Sequence, residues 1–267
     1  MIPRMKKRLL QIGNILSIIL TILINALAVI LPLNGKTTQE LSDALPNLFV
    51  PAGLTFSIWS IIYILWIVFA IYQMRDFFKK EEIGMPFLHH ISVFFIVSSI
   101  ANSAWIFLWH YEYVGLSLLM MIVLLLSLFA LYVRLNIGRS SVSVAERLCV
   151  HVPFSVYLGW ITVATIANVT AFLVSVNWDG LGISALNWTI MIITVGTLLT
   201  ILMLRLRKDI AFSFVVLWAF LGIWMKQSDT TIDVNIATTT TIAMILITFG
   251  LLAVLGYQLI SKNKLKP

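Results

Sequence analysis

A chain of 267 residues that is 60% hydrophobic and 11% charged is far more apolar than a soluble globular domain, where about 45–50% and about 25% are usual, and this excludes a soluble enzyme or binding module. The net charge of +7 comes in clusters of three or four beside apolar runs, which fits membrane topology and anionic headgroups, not nucleic acid. The single cysteine, Cys149, excludes an intrachain disulfide and a cysteine-rich metal site.

In chain order the apolar runs are 9–33, 54–74, 88–109, 114–133, 149–176, 185–204, 210–225 and 235–259. Each approaches the roughly 20 residues needed to cross a bilayer, with 210–225 the shortest. They predict an all-α, polytopic bundle of about eight spanning helices with the lipid bilayer as its first partner. A basic stretch, an apolar run and Ala26-Leu27-Ala28 together resemble a signal peptide. The apolar run continues to Leu33, which predicts an uncleaved helix. The longest loop on the less basic side, Asn34 to Gly53, is either a functional segment or a tether. Arg4, Lys6, Lys7 and Arg8 precede the first run, and further basic clusters follow the second, fourth, sixth and eighth. Sixteen of the eighteen Lys and Arg residues thus fall on one side, leaving Lys36 and Lys226 on the other. The excess predicts a multi-pass protein of the cell membrane with both termini cytoplasmic. No repeat relates runs 1–4 to runs 5–8, so an inverted-repeat transporter has no support. In the last run, Thr238 to Thr241 are expected to return their hydroxyls to carbonyls one turn back.

Charged groups give little chemistry. Glu112, Asp179, Asp209, Asp229 and Asp233 fall at run ends or in loops, and His89, His90, His110 and His151 fall near interfaces, where solvation is the expectation. Without metal-ligand spacing, a phosphate loop or a nucleophile–base arrangement, the sequence predicts no catalytic residue, no metal and no required cofactor.

Aromatic and amide residues are the more informative set. Trp59, Tyr63 and Trp66 share one helical face, as do Asn102, Trp105 and Trp109, and Tyr157, Trp160, Ala164 and Asn168 lie within about 80° of arc. An amide facing lipid would leave its polar atoms unpaired, so Asn102 and Asn168 are expected to face inward. Two readings remain: amides that bind helices together among volume-filling tryptophans, or a pocket for a planar, mostly apolar molecule.

At these residues the chain resembles the TspO family of tryptophan-rich sensory proteins, related to the mitochondrial translocator protein. PAGLTFSIWSIIYILWIVFAIYQ (51–73) is similar to the family's proline-rich entry and Trp-x-x-x-Tyr, at Trp59 and Tyr63. Asn102-x-x-Trp105 resembles its Asn-x-x-Trp, and VYLGWITVATIAN (156–168) is similar to its Pro-Tyr-x-x-Trp-x-x-Phe-Ala-x-x-x-Asn, with Tyr157, Trp160, Ala164 and Asn168 in register. Val156 stands where the family has proline and Ser98 where it often has glutamine.

The resemblance implies a five-helix bundle over 1–176, with residues 177–267 as three additional helices outside the family's pattern. It also implies a ligand site at Trp59, Tyr63, Asn102, Trp105, Tyr157, Trp160, Ala164 and Asn168. The implied ligand is a small hydrophobic molecule, a porphyrin, haem-like or sterol-like compound, in a sensory or transport role. A light-dependent porphyrin degradation found in some members is not expected here, since it asks little of the protein beyond a nearby aromatic. The alternatives are a small-molecule permease completed by the last three helices, and a scaffold without ligand. A homodimer is left open.

Overall fold

The computed structural model describes residues 3–31, 33–91, 93–228 and 234–263. Lys264, Lys266, Asp229 and Asp233, which enter the charge reading, lie outside the described residues. The helices are α1 (Arg4–Ile30), α2 (Thr38–Asp43), α3 (Ile58–Gln73), α4 (Phe87–Ile91), α5 (Phe94–His110), α6 (Val114–Arg134), α7 (Val144–Glu146), α8 (Val152–Ser175), α9 (Ala185–Arg207), α10 (Ile210–Ser228) and α11 (Val234–Asn263). No strand occurs among the described residues. Seven helical segments are long and apolar enough to span, and α5, at 17 residues, is the shorter eighth. The chain is therefore a membrane-spanning helical bundle.

Two boundaries differ from expectation. The run at 88–109 is described as α4 and α5 in place of one helix. The run at 149–176 begins earlier, at Val144, and passes through a π-helical turn at Arg147–His151 before α8. Pro153 explains the turn: it has no N–H for the carbonyl one turn back and its ring crowds that carbonyl, so a wider turn relieves both.

Packing follows membrane logic, in which apolar groups face lipid and polar groups seek the interior. On α3, Ile61, Ile64, Ile67 and Ile71 are at least half exposed, whereas Ile62, Trp66 and Phe69 are buried. Helix α1 packs on α3 and α5, α5 on α6, α6 on α8, and α8 on α3, which closes a ring of five helices. Across the ring, α3, α5 and α8 meet through side chains: Phe95 lies 5.8 Å from Trp66, 6.0 Å from Phe69 and 5.4 Å from Phe154 between ring centroids. The packed interior that α3, α5 and α8 share is the lumen. Helix α10 lies outside the ring against α8, and α9 and α11 pack on α10 and on each other.

Close approach of α10 depends on Gly159 of α8, where a Cβ would stand 3.2 Å from the Phe212 carbonyl oxygen, and on Gly222, where a Cβ would overlap Thr55. At one end of the bundle, Lys7 pairs with Asp76, Arg139 bonds the Leu206 carbonyl at 3.1 Å, Arg207 bonds Asn136 at 2.9 Å, and Lys208 lies 4.5 Å over the Tyr257 ring. These contacts gather the basic loops at the same end. There Asp209 is buried and accepts from Tyr132 Oη (2.7 Å), Ser155 Oγ (2.5 Å) and the Phe212 amide (3.1 Å). One carboxylate thus caps α10 and ties it to α6 and α8.

At the far end the segment from Asn34 to Gly53 folds into a lid. A capping box at Thr37 and Glu40 starts α2. Lys226 pairs with Asp43, Gln227 donates to the Leu48 carbonyl (2.9 Å), and the Ala52 amide donates to the Gly222 carbonyl (2.9 Å). Leu41, Phe49 and Val50 of this segment are buried. The threonine run behaves as expected, Thr239, Thr240 and Thr241 each bonding a carbonyl four residues back.

Candidate ligand-binding site

The segment at Gly53–Ser57 leads into α3 and sets Trp59, Tyr63 and Trp66 on successive turns, each toward α8. Trp59 stacks on Tyr63 at 5.8 Å and meets Tyr157 and Trp160 edge-on at 6.1 and 6.3 Å. Trp66 meets Tyr157 at 4.8 Å, and Phe56 meets Trp160 at 6.1 Å. From α5 the Asn102 amide approaches the Tyr157 hydroxyl without closing a hydrogen bond of normal geometry.

The structure thus brings Trp59, Tyr63, Asn102, Tyr157 and Trp160 into one cluster, joined by Trp66 and Phe56. Trp105, one turn from Asn102, is buried but stacks on Trp109 at 6.1 Å. Asn168 is buried and Ala164 half-buried, farther along α8, and neither has a ring contact or side-chain hydrogen bond to the cluster.

The polar atoms distinguish this region from ordinary core. Seven buried side-chain nitrogens or oxygens lack a hydrogen-bond partner among the described residues: Trp66 Nε1, Asn102 Nδ2, Trp105 Nε1, Tyr157 Oη, Trp160 Nε1, Asn168 Oδ1 and Asn14 Oδ1. All but the last belong to the three stripes. An unsatisfied buried group costs about 1–3 kcal/mol, so four of them in one cluster, on Trp66, Asn102, Tyr157 and Trp160, is a large concession unless something else fills their bonding capacity.

The cluster is closed. A cavity of about 990 Å³ lies between α8 and α9, lined by Thr165, Ile166, Val169, Trp178, Trp188 and Ile192 among others. Others of about 650, 390 and 430 Å³ lie beside α1 and α4, between α10 and α11, and between α1 and α3. None of the eight sequence-predicted residues lines any of these. Trp59 and Tyr63 are half-buried and form the exposed edge of the cluster, whereas Trp66, Tyr157 and Trp160 form its buried floor.

Among the described residues no group of histidines, cysteines or carboxylates is arranged to hold a metal. The histidines depart from expectation: His110 and His151 are buried. His110 Nδ1 donates to the Ile106 carbonyl at 2.7 Å, which fixes its tautomer because the carbonyl only accepts.

Sequence reasoning expected α1 as a spanning helix but missed its polar face. Its buried positions Lys7, Gln11, Asn14, Ser17, Thr21 and Asn25 recur every three or four residues and form a polar seam facing α3 and α5. Gln11 Nε2 donates to the Gln73 carbonyl (2.5 Å), Asn14 Nδ2 to Gln73 Oε1 (2.9 Å), and Asn25 Nδ2 to Asn102 Oδ1 (2.8 Å). Thr21 pairs with Ser99, whose hydroxyl also donates to the Ser17 carbonyl at 2.7 Å. The signal was the seven-residue spacing of Lys7, Asn14 and Thr21, with Gln11 and Asn25 two such steps apart, in an otherwise apolar run.

Comparison with curated proteins and with solved structures returned no match. The family described as TSPO-like protein matches residues 11–254. That range includes α9, α10 and most of α11, so the helices expected to fall outside the family's pattern fall inside this family's extent. With the match covering most of the chain, and the aromatic and amide motifs gathered as described, this protein belongs to the TSPO-like protein family.

Proposed function

We propose that this membrane protein binds a planar, mostly apolar small molecule in the lumen between α3, α5 and α8, in a sensory or transport role. The carrying observation is the concentration in the cluster of four of the seven buried, unpartnered polar atoms, on Trp66, Asn102, Tyr157 and Trp160, all residues of the stripes that the sequence singles out. A ligand inserted beside Trp59 and Tyr63 would gain stacking of about 0.5–1.5 kcal/mol per aromatic pair beyond burial and would supply the missing hydrogen bonds. Tetrapyrrole-like or sterol-like molecules suit such a slot, and no catalytic step is part of the reading. The basic end is assigned to the cytoplasm, because Lys and Arg are retained on that side.

Close packing of the cluster favours a second reading, a scaffold whose aromatics are core. A permease path through the last helices gains no support: Thr189, Thr197, Thr200, Ser213 and Thr240 return their hydroxyls to their own helices. Quenching of tryptophan fluorescence in nanodiscs by protoporphyrin, haem and a fluorescent sterol separates the readings. Saturable quenching at micromolar concentration, about 8 kcal/mol of binding at 1 μM, supports the lumen site. Only linear, collisional quenching by all three leaves the scaffold.

A further inference from the structure

The unpartnered atoms are unequal in kind, and this restricts the ligand. Within the cluster Trp66 Nε1, Asn102 Nδ2 and Trp160 Nε1 can only donate and Tyr157 Oη can do either; outside it Trp105 Nε1 can only donate, and Asn168 Oδ1 and Asn14 Oδ1 can only accept. The polarity of Asn102 is set by its neighbour. Asn25 Nδ2 donates to the Thr21 carbonyl at 2.9 Å and to Asn102 Oδ1 at 2.8 Å. A backbone carbonyl only accepts, so turning the Asn25 amide would set two oxygens against each other. Asn25 therefore holds the Asn102 oxygen and leaves its NH₂ facing Tyr157. The Trp66 ring lies edge-on against the same tyrosine, 4.8 Å between centroids.

No charged side chain belongs to the cluster. The buried charged residues, Lys7, Asp76 and Asp209, pair or cap at the basic end. A carboxylate inserted among the aromatics would meet donors but no counter-charge, and desolvating it is costly. A carbonyl or ether oxygen suits the same donors without that cost.

We infer that the lumen selects a neutral planar ligand whose inserted edge carries hydrogen-bond acceptors of ketone or quinone type, and that Asn25 is the positioning residue for this selection. The inference rests on the lumen being the ligand site and deepens that reading. Charged substituents of a larger ligand belong at the exposed edge formed by Trp59 and Tyr63.

Anthraquinone and anthracene test it, since they share shape and differ in two carbonyl oxygens. Equilibrium dialysis between protein-loaded and protein-free nanodiscs removes their difference in lipid partitioning. Wild type is expected to bind anthraquinone about five- to tenfold more tightly than anthracene, the worth of a hydrogen bond or slightly more. Anthracene-2-carboxylate is expected to bind more weakly than anthraquinone. In Asn25→Leu, checked for folding by its thermal transition, the ratio of the first two affinities is expected to fall by at least half. A purely structural loss would weaken both probes alike and leave the ratio unchanged, and that result overturns the positioning role. Equal affinities in wild type overturn the acceptor selection while keeping the lumen as a site, and tighter binding of the carboxylate overturns neutrality. Binding of none of the probes removes the lumen reading and the inference together.

Discussion

Lys7 and Asp76 show what a single pair does at the membrane boundary. Both are buried, and Asp76 accepts from the Lys7 ammonium, the Ile83 amide (2.8 Å) and Gln11 Nε2 (3.2 Å). Burial pushes the Asp76 carboxyl up, but the Lys7 hydrogen bond, the Ile83 amide, Gln11 and the Lys7 charge together outweigh it and hold the group below the usual carboxylate range. A folded-state value below the unfolded one stabilises the protein above the unfolded value of about 3.9, and this contribution is lost as pH falls through the folded value. Lys7→Met leaves the carboxylate buried without its cation, a change expected to cost about 3–5 kcal/mol in denaturant unfolding at neutral pH. Asp76→Asn removes this group's share of the loss of stability between about pH 4 and its folded value. An acid limb unchanged in Asp76→Asn would assign that loss to other carboxylates. The pair was not legible because the expected start of the first helix, residue 9, left Lys7 in a solvated tail. The helix begins at Arg4, which carries Lys7 inward along the seam of Gln11 and Asn14.

At the scale of elements, α10 is the one that binds the ring to the helices beyond it. Asp209 ties its start to Tyr132 and Ser155, Gly159 lets it approach α8, and Gly222 admits Thr55, whose carbonyl accepts from Trp218 Nε1 at 2.9 Å. Asp209→Ala is expected to leave the Tyr132 and Ser155 hydroxyls unpaired at about 1–3 kcal/mol each, seen as a lower thermal transition in detergent. Gly222→Val is expected to displace Thr55 and speed amide exchange over 49–57, while exchange in α5 and α6 stays as in wild type. Unchanged exchange over 49–57 would mean that the lid does not depend on α10. The helices themselves were legible from run length and hydropathy, down to the short 210–225 run that becomes α10. The asparagines of the motifs were legible as inward-facing for the same reason, the cost of an amide in lipid. The partner of Asn102 was not, because Asn25 sits in an apolar run and acquires meaning only with the five other seam positions.

The whole molecule is a five-helix ring with an aromatic and amide lumen, flanked on the α8 side by three more spanning helices. Which helices neighbour one another is a packing property that hydropathy in one sequence does not encode. The order of α1, α5, α6, α8 and α3 around the ring therefore emerged only from the structure. Both termini on the basic side follow from the charge asymmetry, and a reporter fused after Asp179 is expected outside the cytoplasm. Cytoplasmic activity of that fusion would reverse the assignment. The lumen as a ligand site is the claim on which the functional reading stands. It is tested most directly by titrating protoporphyrin into nanodiscs carrying wild type or the doubly substituted Asn102→Leu, Trp160→Phe protein, with folding followed by thermal unfolding. The lumen site predicts a micromolar or tighter dissociation constant in wild type and a rise of about tenfold or more in the folded variant, the combined worth of a buried hydrogen bond and an aromatic contact. Equal affinities in the two proteins, or no saturable binding in wild type, would contradict it.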